Sequence, residues 1–314
     1  MTEFKKVVVA GGGVLGSQIA FQTAFSGFDV TIWLRSEGSI GRTRPKLERL
    51  KRIYLETLET MKTNPAAYCR GFSDKKQLSE SEINALKQQV EKGYSRLKLT
   101  TSYEEAAENA DLVIEAIAEN PEEKTAFYTE LAKYLPAKTI LATNSSTMLP
   151  SSFAAATGRP EKYLALHFAN EIWKNNTAEI MGHAGTSAEC YDAVVAFAES
   201  IHMVPLKLKK EQPGYILNSM LVPFLNAAQT LWAKEIADPE TIDRTWTLAT
   251  GAPAGPFRIL DIVGLTTAYN VVMLNPDAGN PDSTAGKIAA LLKEKIEAGK
   301  TGINAGEGFY TYNK

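Results

Sequence analysis

Up to about residue 208, the chain alternates between two rhythms of apolar and polar positions. Short apolar runs at 7–10, 29–34, 97–100, 111–117, 139–142, 163–166, 179–181 and 204–208 predict strands. The β-branched first run, Val7-Val8-Val9-Ala10, suits a strand buried on both faces. Between the runs, apolar residues three and four apart predict helices. The first opens at Val14 and closes near Ser26-Gly27. A second spans 45–61, with Leu47, Leu50, Tyr54, Leu58 and Met61 on one side and Pro45 at its first position. A third spans 79–94, opened by a capping box of Ser79 and Glu82. Ser102 with Glu105, Asn120 with Pro121, and Ser187 mark further helix starts. Beyond Gln212-Pro213-Gly214 the strand signal stops, and helices are predicted at 215–233, 238–250, 256–273 and 283–298. The pattern therefore predicts an α/β fold: a doubly wound sheet over 1–208 with a helical pair inserted at about 41–95, then an all-α domain over 209–314.

The turn after the first strand narrows this to a Rossmann-type dinucleotide domain. Gly11, Gly13 and Gly16 stand in the order G-x-G-x-x-G, followed by the helix that begins with Val14 and Leu15. Gly11 serves the tight turn, Gly13 the approach of a pyrophosphate, and Gly16 close packing of helix on strand. The phosphates would sit on the helix N-terminus, whose N–H groups and dipole favour anions. An NAD-preferring fold normally ends its second strand in Asp or Glu, which binds the adenosine ribose. Here that position is Leu34, followed by Arg35 and Ser36, with Arg42 and Arg44 close behind. A neutral strand end next to guanidinium and hydroxyl donors suits a 2′-phosphate, so the expected cofactor is NAD(P), with NADP favoured over NAD. The competing reading is that these arginines are solvated loop charges and NAD is held by other contacts.

Charge and cysteine usage remove several other classes. A net charge of −2 supplies no electrostatic reason to expect nucleic acid or an anionic membrane. No apolar run approaches the ~18 residues of a membrane span. The polar start that runs directly into the first strand argues against a secretory signal, and the expected location is the cytoplasm. Cys69 and Cys190 lie too far apart in sequence for a disulfide framework or zinc site, so no metal is expected. With only three histidines, acid–base chemistry has few candidates. His167 follows an apolar strand at its carboxyl end, where ligands bind in open α/β sheets, and Glu179 lies twelve residues on in the next strand. A carboxylate returning there can bind one imidazole nitrogen and leave the other to take a proton. His183 and His202 lie in turns and read as structural.

These segments resemble the L-3-hydroxyacyl-CoA dehydrogenases, including 3-hydroxybutyryl-CoA dehydrogenase, over nearly the whole chain. GGGVLGSQIA is similar to that family's cofactor loop, EAIAEN (115–120) to its next signature and TNSST (143–147) to its Asn-Thr-Ser-Ser turn. LHFAN (166–170) with Glu179 resembles its His-Phe…Glu pair. QPGYILNSMLVPFLNAA (212–228), GAPAGPFRILDIVGL (251–265) and GEGFYTY (306–312) are similar to its C-terminal signatures. The resemblance implies that His167 is the general base for hydroxyl oxidation and the acid for ketone reduction, oriented by Glu179. It implies that Ser146 and Asn218 bind the substrate oxygen. Glu119, Lys124, Asn144 and Asn170 would lie near the nicotinamide half of the cofactor. It further implies an acyl-CoA thioester substrate and a homodimer through the helical domain, whose apolar stretches also exceed what such a domain readily hides. The chain departs from the family where Phe-Asn-Pro is usual after His-Phe: here stand Ala169-Asn170-Glu171, followed by Ile172-Trp173-Lys174. Lys46, Arg49, Lys51 and Arg52 offer a basic helix face that a CoA phosphate or plain water could meet. Two alternatives stay open. One is a dehydrogenase of free 3-hydroxy acids or sugar acids, like the gulonate dehydrogenases. The other is a nucleotide-binding protein without turnover.

Overall fold

The computed structural model describes residues 4–312. They form two compact units, dividing between Ile216 and Leu217. The first is a Rossmann-type sheet with helices on both faces, and the second is helical.

In the first unit eight strands make one sheet: β1 (Lys6–Ala10), β2 (Asp29–Trp33), β3 (Lys98–Thr100), β4 (Leu112–Glu115), β5 (Ile140–Thr143), β6 (Tyr163–Phe168), β7 (Thr177–Gly182) and β8 (Val204–Lys207). Their order is β3-β2-β1-β4-β5-β6-β7-β8. Strands β3 to β6 are parallel throughout, β7 turns back antiparallel on β6, and β8 runs parallel to β7. The order reverses between β1 and β4, the switch point at which open α/β sheets bind ligands. Alternating side chains of β1 serve both faces. Val7 and Val9 join Ile19 and Phe21 of α1 (Val14–Phe25), Tyr54 and Leu58 of α2 (Glu37–Met61), Ile83 of α3 (Glu80–Arg96) and Val194 of α6 (Ala188–Ser200). Val8 and Ala10 join Ala106 of α4 (Tyr103–Ala107) and Phe127, Tyr128 and Leu131 of α5 (Pro121–Leu131).

The caps behave as the sequence predicts. Ser79 and Glu82 form the capping box of α3, and Ser102, Asn120 and Ser187 each accept an N–H from their helix's first turn. Pro45 does not start α2. The helix begins after Ser36 and carries Pro45 in its interior. A proline there forfeits one backbone bond. On either side of it Thr43 and Leu47 are buried, and Thr43 Oγ1 donates to Ser39 O at 2.8 Å, so packing holds the helix through the defect. The insertion of α2 and α3 is tied down by buried Gln22 of α1, which donates to Gly71 O at 2.7 Å and Ile201 O at 3.0 Å and accepts Tyr54 Oη at 2.7 Å.

The second unit contains α7 (Leu217–Ala233), α8 (Pro239–Thr250), α9 (Pro256–Val263), α10 (Leu265–Val272) and α11 (Thr284–Glu297) around Leu225, Phe257, Leu260, Leu265, Ile288 and Leu292. The single helix expected at 256–273 is two, because Gly264 at φ 92° leaves the helical region. Two buried carboxylates organise this unit. Asp243 accepts the N–H groups of Phe257 and Arg258 at 2.7 and 2.9 Å, capping α9 from outside. Asp261 accepts the N–H groups of Phe309 and Tyr310 and the hydroxyl of Tyr312, fastening the C-terminal segment.

Candidate active site

The glycine turn lies at the sheet's switch point and floors a groove of about 760 Å³. Gly11 sits at φ 120°, and a Cβ there would come within 2.3 Å of Ala116 O, so the glycine is demanded by the loop after β4. A Cβ on Gly16 would meet Gly11 O at 2.3 Å, which is the close helix–strand contact expected of it. Gly13 faces open space, leaving the backbone approachable, with exposed Val14 and half-buried Leu15 opening α1 beside it. A helix start of this kind presents unpaired N–H groups to an anion. Trp33, Leu34, Ile117 and Phe127 add apolar wall to the groove, and Arg35, Arg42 and Lys46 add charge. A long groove with an anion-binding floor and an apolar wall fits a dinucleotide.

The basic residues are more committed than their sequence suggested. Arg35 pairs with Glu123 at 3.0 Å, Arg42 donates to Ser39 Oγ at 2.8 Å, and Lys46 Nζ donates to Gly12 O at 2.8 Å. Ser36 Oγ meets Ser39 Oγ at 3.1 Å. Lys51 pairs with Glu91 at 2.7 Å.

The second cluster lies at the ends of β5 and β6. His167 is inside β6, one residue before its end, and directly opposite Glu179 across the antiparallel ladder with β7. The twelve-residue spacing thus becomes a cross-strand pair. His167 Nδ1 lies 3.0 Å from Glu179 Oε2, and Nε2 lies 3.1 Å from Ser146 Oγ. Both His167 and Glu179 are buried. The other Glu179 oxygen accepts the Ile216 N–H at 2.9 Å. Glu119 anchors the serine turn, accepting Ser145 Oγ at 2.7 Å and the Ser146 N–H at 3.0 Å. Asn144 Oδ1 accepts the Phe168 N–H at 3.0 Å, tying that turn to the end of β6.

Two residues that the sequence reading left out matter here. Tyr215 stacks on His167, with ring centroids 4.4 Å apart and planes at 12°, and donates its hydroxyl to Ser145 O at 2.7 Å. Burial, with Tyr163 and nearby carboxylates adding to it, pushes its phenol well above the usual range, so it stays a donor. Glu115 ends β4 fully buried. It accepts Lys124 Nζ at 2.6 Å, Tyr128 Oη at 2.8 Å, Thr143 Oγ1 at 2.7 Å and the Ile117 N–H at 2.8 Å. A carboxylate at the end of an otherwise apolar strand was the available signal for it.

Lys124, expected near the nicotinamide half of the cofactor, is fully buried with its ammonium on Glu115 at 2.6 Å. Asn170 is exposed after β6. Asn218 belongs to the second unit, half-buried in the first turn of α7. The remaining candidates fall into the two clusters described.

The description "3-hydroxyacyl-CoA dehydrogenase, NAD binding domain" matches residues 6–212, and "3-hydroxyacyl-CoA dehydrogenase, C-terminal domain" matches residues 214–312. The chain belongs to the 3-hydroxyacyl-CoA dehydrogenase family, and its first unit is the family's nicotinamide-cofactor domain. It is 31% identical to the probable 3-hydroxybutyryl-CoA dehydrogenase of Bacillus subtilis (strain 168), over 99% of each chain. It is also 31% identical to the mitochondrial hydroxyacyl-coenzyme A dehydrogenase of Homo sapiens, over 98% of this chain and 91% of that one. Among solved structures it is similar to a diketoreductase described for dual catalysis of dicarbonyl compounds, at 45% identity and a TM-score of 0.85 over 99% of this chain and 100% of that one. Similarity to the (S)-3-hydroxybutyryl-CoA dehydrogenase of Ralstonia eutropha, at 26% identity, has a TM-score of 0.74 over 99% of this chain and 100% of that one. Among the described residues, no helix is long and apolar enough to cross a membrane.

Proposed function

We propose that the protein is an NAD(P)-dependent 3-hydroxyacyl-CoA dehydrogenase, interconverting L-3-hydroxyacyl-CoA and 3-ketoacyl-CoA. The observation that carries this reading is the Glu179–His167–Ser146 chain of hydrogen bonds. Glu179 accepts the hydrogen bond from the Nδ1–H of His167 and so fixes the tautomer in which Nε2 is a base. His167 then removes the hydroxyl proton in oxidation and returns it to the developing alkoxide in reduction. Ser146 directs its hydroxyl at the same oxygen, polarising the carbonyl in the reduction direction. Glu119 and Asn144 hold the serine turn in place, and Asn170 borders the nicotinamide end. A nicotinamide cofactor held over the Gly11–Gly16 turn would accept hydride from the carbinol carbon in oxidation or supply it to the carbonyl carbon in reduction. The first unit does the cofactor work, and the second carries substrate and dimer contacts.

A second reading is favoured by the 45% identity to the diketoreductase structure and by the departure at Ala169-Asn170-Glu171: a reductase of free dicarbonyl compounds with no CoA handle. Initial rates of acetoacetyl-CoA reduction, run beside a free diketo ester, separate the two. Faster turnover of the thioester is the expected result. Turnover of the diketo ester alone would replace the first reading with the second.

For the cofactor, Leu34, Arg35 and Arg42 still favour NADP, while Glu123 offsets the charge of Arg35. Glu123→Gln is expected to raise the NADPH-to-NADH rate ratio about two- to fivefold, the worth of an exposed ion pair. An unchanged ratio would remove Arg35 from the 2′-phosphate reading. Exposed apolar residues of the second unit, including Met220, Leu248, Ile262 and Leu274, support a homodimer. Sedimentation is expected to yield twice the 34.3 kDa chain mass; a monomer at working concentration counts against it. Two free, buried thiols suit a reducing compartment, and we assign the protein to the cytoplasm.

A further inference from the structure

We infer that Tyr215 is a positioning residue of the reacting centre, its ring fixing the plane of the His167 imidazole while its hydroxyl fixes the Ser145–Ser146 turn. This rests on the reading of His167 as acid and base.

The argument begins with what the other contacts leave free. Glu179 at Nδ1 and Ser146 at Nε2 hold His167 by its two nitrogens, at opposite edges of the ring. Two such bonds still allow the ring to tilt about the line that joins them. A flat partner against one face removes that freedom, and Tyr215 lies there at 4.4 Å and 12°. The same side chain reaches past the imidazole to Ser145 O at 2.7 Å. Its neighbour in sequence supplies the Ile216 N–H to Glu179. One short segment therefore touches the base, the partner of the base and the turn that carries the serine.

The backbone is bent to make this possible. Gly214 and Tyr215 are both left-handed, at φ 78° and 55°. That conformation comes readily to glycine but is an outlier for a bulky aromatic residue. Such strain persists only where surrounding contacts over-determine it, and it concentrates at functional sites. Tyr215 is 1% exposed and engaged at its face and its hydroxyl, which is the over-determination required.

The test uses the full chain with acetoacetyl-CoA and the cofactor the wild type uses. Tyr215→Leu removes the flat face and is expected to lower kcat at least tenfold with KM unchanged, within the ~10²-fold that a ~1 Å misplacement costs. Tyr215→Phe keeps the face but loses the hydroxyl, and its kcat is expected to lie between those of the wild type and Tyr215→Leu. Histidine labelled with ¹³C at Cε1 provides a readout independent of turnover. The resonance that disappears in His167→Ala should be ring-current shifted upfield in wild type and Tyr215→Phe, and should lose that shift in Tyr215→Leu. If the leucine variant does not fold, Tyr215→Met carries the same comparison. Wild-type kcat in the leucine or methionine variant, equal losses in the phenylalanine and leucine variants, or an unmoved His167 resonance would each overturn the inference. Undiminished turnover in His167→Ala would instead overturn the proposed function, with the resonance still reporting whether Tyr215 holds the ring.

Discussion

His167→Ala is expected to lower kcat/KM about 10²- to 10⁴-fold, the usual worth of a positioned acid–base group, while leaving cofactor binding unchanged. Stopped rates together with cofactor fluorescence titration measure the two quantities separately. Retained turnover would remove His167 from the role of acid and base. Glu179→Gln is expected to fall nearly as far as His167→Ala, for a geometric reason. The Ile216 N–H donates to Glu179 Oε1 at 2.9 Å, so the carbonyl oxygen of a glutamine stays on that side. Its NH₂ group then faces Nδ1 of His167, where Oε2 now stands at 3.0 Å. An amide donor at Nδ1 moves the ring proton to Nε2, where the proposed reaction needs a lone pair. A glutamine variant of near wild-type rate would show that the tautomer is set by something else.

Lys124→Met is expected to destabilise the protein by about 3 kcal/mol, at the low end of the range for stranding one partner of a buried ion pair. The lower end follows from the bonds Glu115 retains to Tyr128, Thr143 and Ile117. Glu115→Gln combined with Lys124→Met should recover part of that loss, because no uncompensated charge is then buried. Urea unfolding of the three proteins at neutral pH measures this. A loss below about 1 kcal/mol in the single variant would mean the pair is not desolvated as its burial indicates. The effect should also reach the serine turn. Glu115 holds Thr143 Oγ1, which accepts the Ser145 N–H at 3.1 Å, so kcat should fall along with stability.

The strand runs, the glycine turn and the caps at Ser79, Ser102, Asn120 and Ser187 were all legible, because each depends on residues within one turn or one strand of itself. Pro45 and the 256–273 stretch misled for the opposite reason. Pro45 is tolerated only because Thr43 and Leu47 are packed by the body of the domain, and Gly264 breaks an otherwise continuous apolar pattern through a backbone angle that composition does not reveal.

The site divides in the same way. By itself, the sequence determined the α/β architecture, the nucleotide loop and the candidate pair of His167 and Glu179, since periodicity and motif spacing are properties of neighbouring residues. Only the tertiary structure decided that β7 runs antiparallel to β6, which turns a separation of twelve residues into a directly opposed pair. It alone buried Lys124 against Glu115, engaged Arg35 with Glu123, and brought Tyr215 from the far end of the first unit onto the face of His167. Each of these joins positions on separate elements, and their partners are selected by burial and the pairing of charges, which no local stretch of sequence contains.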